Sequence, residues 1–123
     1  LANAVTIQIT KSTLLKYKWE YSAMKFTKTH EWVVYNPENK SIRVGITNYA
    51  KGELGEIVFV EYPKIGSKVK KDGEAVKIER VKAAASVYSP IEGVVKAVNN
   101  KVQENSYELL ENEPAENIWL IEI

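Results

Sequence analysis

A chain of 123 residues that is 45% hydrophobic, with 17 basic and 16 acidic side chains, is sized for one domain around one core. The net charge of +1 argues against a nucleic-acid binder, and no apolar run reaches the length of a membrane-spanning helix. The absence of cysteine excludes disulfides, thiolate metal sites and thiol catalysis. The single histidine, His30, cannot build a multi-histidine metal site, and any Ser-His-acid triad would rest on it alone. No glycine-rich phosphate loop is present, so the chain is poorly equipped as an enzyme.

Residues 1–23 differ from the rest. They hold one alternating run, Val5-Thr6-Ile7-Gln8-Ile9, an aromatic cluster at Tyr17, Trp19 and Tyr21, three lysines and no arginine. The missing arginine weakens a transit-peptide reading. Met24 sits where a chain could begin, so this stretch is expected to be a non-native or flexible extension ahead of a domain spanning 24–123.

From Met24 the pattern is mainly β. Glu31 to Tyr35 and Ser41 to Ile46 alternate and flank Asn36-Pro37-Glu38-Asn39, whose turn chemistry predicts a hairpin. Thr47 is a candidate N-cap for a short helix from Asn48 to Leu54, with Gly55 ending it. Glu56 to Tyr62 carries the strongest strand signal, and Pro63 and Gly66 punctuate the turn after it. Asp72-Gly73 marks a tight turn before a strand from Glu74 to Glu79. Val94 to Val98 reads as one strand ending at Asn99-Asn100. Tyr107 to Glu111 could form one or two helical turns before Pro114, and Ile118 to Ile123 reads as a buried final strand. Many short strands with regular Gly, Pro and Asn breaks predict a sandwich or small barrel. Gly66 to Lys101 shows a loose two-fold repetition with Lys82 between its halves.

Lys82 therefore falls where two strand-like segments meet, in Glu79-Arg80-Val81-Lys82-Ala83-Ala84-Ala85-Ser86. A lysine at such a turn is open on several sides and suits a group that another enzyme must reach and modify. A solvated hairpin tip is the plainer account, because Lys82 is one of 15 lysines. His30, beside Trp32 on a predicted strand, is read as structural, since it lacks catalytic partners. Trp32 and Trp119 are read as core or near-core packing. Lys68, Lys70 and Lys71 with Asp72 form a charged, solvated turn.

Seven segments in order carry a family resemblance. They are Thr29-His30-Glu31-Trp32-Val33, Gly45-Ile46-Thr47-Asn48-Tyr49-Ala50, Leu54 to Val60, Pro63 to Gly66, Glu79 to Ala84, Tyr88-Ser89-Pro90-Ile91-Glu92-Gly93 and Trp119-Leu120-Ile121. On these, residues 24–123 resemble the H-protein family of the glycine cleavage system. The resemblance implies two antiparallel sheets in a barrel-sandwich hybrid of the lipoyl/biotinyl type, with short helices. It implies lipoate joined through an amide to Lys82, with Glu79 and Gly66 read by the lipoylating enzyme. It implies a cleft that shelters the loaded arm, lined by Glu31 and Thr29, with Ser86 where the family commonly has a carboxylate. An exposed strand carboxylate without special role is the alternative for Glu31. Arg80 stands where the family usually has serine, which adds a positive charge beside the modified site.

The resemblance further implies a carrier that does no catalysis. It would shuttle the aminomethyl group of glycine from a pyridoxal-phosphate glycine decarboxylase to a folate-dependent aminomethyltransferase, and electrons to dihydrolipoamide dehydrogenase. A lipoate ligase or lipoyl transferase would load it. No metal, nucleic-acid or membrane partner is expected, and the location would be cytoplasmic, or the mitochondrial matrix in a eukaryote. The lack of cysteine suits this role, because a protein thiolate could trap the lipoyl disulfide. The alternatives are a lipoyl or biotinyl domain of another multienzyme complex, and a β-rich scaffold with no prosthetic group. Against the biotinyl type, Val81 and Ala83 stand where methionines would flank the lysine.

Overall fold

The computed structural model describes residues 24–81, 83–103 and 114–123. The readings placed on residues 1–23, on Lys82 and on residues 107–111 lie outside the described residues. The elements are β1 (Met24–Phe26), β2 (Glu31–Asn36), β3 (Ser41–Ile46), α1 (Asn48–Leu54), β4 (Ile57–Glu61), β5 (Lys68–Val69), β6 (Glu74–Arg80), β7 (Ala84–Tyr88), β8 (Gly93–Val94), β9 (Ala97–Val98), a 3-10 turn (Ala115–Asn117) and β10 (Ile121–Glu122). Two antiparallel sheets dominate: five strands in the order β1-β2-β3-β10-β9, and three in the order β4-β6-β7, with β5 and β8 as a separate pair. This is the expected mainly β architecture.

Alternation explains which face each strand buries. On β3, Ile42, Val44 and Ile46 join Ile121 and Ile123 in the core. Ile57, Val60, Val76, Ile78 and Val87 meet them from the second sheet. The opposite face of β2 and β3 is sealed locally. Trp32 lies across Gly45, its register partner, and its indole Nε1 donates to the Ala115 carbonyl at 3.1 Å. A Cβ on Gly45 would fall 2.4 Å from the indole, so only glycine lets the ring lie flat on the strand.

Strong local signals match the structure. Thr47 caps α1 by accepting from the Ala50 N–H at 3.2 Å, and Gly55 ends it with φ of 70°. The β2–β3 hairpin forms as expected, with the Asn36 side chain accepting from the Glu38 N–H at 3.0 Å. The left-handed residue there is Lys40, at φ of 50°. The segment from Val94 to Val98 is a correction. It is two strands, because the Val95 N–H bonds to Ser67 while the next N–H, of Lys96, bonds to Glu122. The chain switches sheets between these residues. The final strand is also shorter than expected, since Leu120 already bonds to β3 but regular pairing covers only Ile121 and Glu122.

Tyr62 lies just past β4 and donates its hydroxyl to the Asn99 carbonyl at 2.9 Å. Burial raises its pKa above the ordinary value near 10. Above pH 10 the unfolded chain ionises there and the folded chain does not, so the stability this residue contributes is full below pH 10 and falls above it. Denaturant midpoints measured across that range are expected to fall more steeply in the wild type than in Tyr62→Phe. Parallel slopes would contradict the assignment.

Candidate functional site

The β6–β7 hairpin organises the site. Its register runs from Glu74↔Tyr88 up to Glu79↔Ala84, and Arg80 N–H closes the tip by donating to the Ala83 carbonyl at 3.0 Å. Outside this hairpin, β5 pairs with β8 through Lys68↔Val94 and Val69↔Gly93. The two ladders nest around the same tip, which gives the loose sequence repetition a geometric basis. Lys82 lies outside the described residues, but its neighbours Val81 and Ala83 are exposed.

Glu31 is not the exposed strand carboxylate of the alternative reading. It is 2% exposed and opens β2 opposite Ile46, on the face between the sheets. A buried carboxylate needs donors, and the turn before β2 supplies them. The Thr27 hydroxyl bonds to Oε1, and Thr29 Oγ1 donates to the same oxygen at 2.5 Å. Oε2 accepts from the Tyr88 N–H of β7 at 3.3 Å. One oxygen is therefore held by two hydroxyls, while the other has a single long bond and spare acceptor capacity.

Beside this carboxylate is a cleft of about 350 Å³, lined by Thr29, His30, Glu31, Ile46, Tyr49, Ala50, Glu53, Leu54, Ile78, Arg80, Ala85, Ser86 and Val87. A second hollow of about 500 Å³ lies along Thr27, Lys28, Asp72, Tyr88, Ser89 and Pro90, and shares Thr29 and Glu31 with the first. Helix α1 forms one wall of the cleft. His30 stands at that wall, but in the turn before β2 and not on a strand. It has φ of 65°, and its ring lies 4.5 Å from that of Tyr49.

The other expected site residues separate into two groups. Thr29, Glu31 and Ser86 line one cleft together. Ser86 stands where the resemblance leads one to expect an acid, and its hydroxyl bonds to the Glu74 carboxylate, so a neighbouring strand brings an acid to it. Glu79 pairs with Phe59 and Ala84 near the hairpin tip and is not a lining residue. Gly66 lies in the turn before β5 with φ of 92°, its N–H donating to Val95 at 2.8 Å. A Cβ there would meet nothing within 4 Å, so the left-handed backbone is what asks for glycine.

Sequence reasoning misses Thr27 and the Tyr88 N–H as holders of Glu31. The first has a signal, because Thr27, Thr29 and Glu31 recur at alternate positions. The second has none, being a backbone group 57 residues away. Arg80, in the sequence only an added charge, has a structural task. Its guanidinium donates to the carbonyls of Glu53 and Leu54, at 3.1 and 3.4 Å.

Comparison with known proteins points to one family. Residues 24–123 match the family model described as Glycine cleavage H-protein. Over 99 residues the chain is 44% identical to the glycine cleavage system H protein of Thermotoga maritima, covering 80% of this chain and 77% of that protein. It is 43% identical to the H protein of Legionella pneumophila strain Corby over 100 residues, covering 81% and 78%. The crystal structure of a glycine cleavage system H protein from Mycobacterium marinum superposes with a TM-score of 0.71 at 27% identity, covering 81% of each chain.

Proposed function

This chain belongs to the glycine cleavage H-protein family, and from that premise we propose that it is a non-catalytic carrier bearing lipoate on Lys82. The lipoyl disulfide supplies the acceptor for the aminomethyl group of glycine and for two electrons. The observation that carries this reading is the cleft beside the β6–β7 hairpin, with the Glu31 carboxylate fixed inside it.

The residues present fit such an arm. Ile46, Ala50, Leu54 and Ile78 offer apolar contact for a hydrocarbon chain and ring. Glu31 Oε2 offers a fixed acceptor for a cationic amine, and its other oxygen is kept occupied by the threonine hydroxyls. Fixing the carboxylate beforehand removes the entropy cost of ordering it around the cargo. The walls hold the cargo away from water. The partners in this reading are glycine decarboxylase, aminomethyltransferase, dihydrolipoamide dehydrogenase and a lipoate ligase or transferase. Its setting is the cytoplasm, or the mitochondrial matrix in a eukaryote.

The test is reconstitution. Lipoylated chain mixed with the three partner enzymes, tetrahydrofolate and NAD is expected to form NADH only when glycine is added. Reductive acylation by a 2-oxo acid dehydrogenase, with no response to glycine, would instead favour the lipoyl domain of another complex. Glu31→Gln is expected to charge normally and to lose its cargo to water about tenfold faster, the scale of one hydrogen bond to a charged group. Release of ammonia from isolated loaded protein reads this directly, and an unchanged rate would remove Glu31 from the role.

A further inference from the structure

Helix α1 is a wall that does not hold itself in place. It has seven residues and none is fully buried; only Ala50 and Leu54 pack partly against the core. A helix this short is unstable alone, so its position depends on its end tethers. At the N-terminus, Thr47 N–H donates to the His30 carbonyl at 3.0 Å, and Asn48 exchanges bonds with Glu116 and Ala115 at 2.7 and 2.8 Å. At the C-terminus the last carbonyls need donors. Gly55 N–H takes that of Lys51 at 3.3 Å, and Arg80 Nη1 takes those of Glu53 and Leu54.

Arg80 is also the last residue of β6, and its own N–H closes the hairpin tip. One residue thus joins the hairpin to the far end of the helix across the cleft that both line. The pairing is favourable on two counts. A cation suits a helix C-terminus. Guanidinium keeps its charge at every working pH. Against these, the Nε of this side chain is buried and makes no hydrogen bond among the described residues, which is a cost to the folded state.

We propose that Arg80 is a positioning residue that clamps α1 to the β6–β7 hairpin and so sets the width of the cleft. The clamp itself stands on geometry alone; its use in sheltering a lipoyl arm rests on the carrier reading.

Hydrogen exchange on the full, unmodified chain tests the clamp. Arg80→Met keeps an apolar stem of similar reach and removes the donors, while Arg80→Lys keeps a cation that can donate to carbonyls. Amides of residues 51–55 are expected to exchange at least about tenfold faster in Arg80→Met and to recover in part in Arg80→Lys. Those of Val76 and Ile78 in β6 should keep wild-type rates. Wild-type exchange in α1 of Arg80→Met would overturn the proposal, and so would equal acceleration in α1 and β6, which would mark a global effect. The cleft width has its own readout, because a chain without cysteine leaves the reduced lipoyl dithiol as its only thiol. That dithiol should react several-fold faster with a bulky thiol reagent in Arg80→Met, and an unchanged rate would overturn the width claim. Failure of the wild type to accept lipoate would sink the carrier reading and leave the exchange result standing.

Discussion

Lys82→Arg is expected to abolish glycine-dependent NADH formation in the reconstituted system while leaving the thermal midpoint unchanged. Arginine keeps the positive charge and much of the length, but its guanidinium does not replace the lysine amine as the site of the lipoyl amide. Without the arm no acceptor reaches the decarboxylase, so the loss should be complete. The fold has no reason to respond. Val81 is 66% exposed, Ala83 is exposed, and the hairpin tip is closed by backbone atoms of Arg80 and Ala83. Where the neighbours are this exposed, a substitution is expected to change stability by no more than about 0.5 kcal/mol. Residual glycine turnover in this variant would place the carrier group elsewhere.

Gly45→Ala is expected to cause the largest loss of stability from adding a single carbon. The new Cβ would lie 2.4 to 2.5 Å from three atoms of the Trp32 indole, so ring or strand must move. Trp32 is 4% exposed, and moving it strains the Nε1 bond to Ala115 that holds the 3-10 turn over the sheet. Overpacking costs about 1–3 kcal/mol and a lost hydrogen bond about 1 kcal/mol more. For a domain of this size each kcal/mol lowers the thermal midpoint by roughly 4–8 °C. A fall of more than about 8 °C is therefore expected in thermal denaturation of Gly45→Ala. An unchanged midpoint would mean that the indole can lift without cost. The consequence reaches the site, because Trp32 is the residue after Glu31 on β2 and the same turn bonds to Asn48 of α1.

How much of this is legible in the sequence depends on the range of each interaction. Thr47 and Gly55 bound α1 as their chemistry predicts, because capping is decided within four residues. The hairpins are legible for the same reason. Glu31 is marked by family resemblance, but its burial is not legible, since its oxygens are satisfied partly by a strand from the other sheet. Val95 and Lys96 look like the middle of one strand, yet their N–H groups serve different neighbours. No local pattern encodes that switch. Arg80 shows the same limit, as its charge is visible in the sequence and its reach to the end of α1 is not. Trp32 and Gly45 sit in alternating strands of plain appearance, and only the register places the indole on the glycine.

The most direct test of the central claim is intact mass with peptide mapping, after co-expression with a lipoate ligase and free lipoate. The account expects a single lipoyl group, on Lys82, absent from Lys82→Arg. An unmodified chain, or biotin on that lysine, would contradict it.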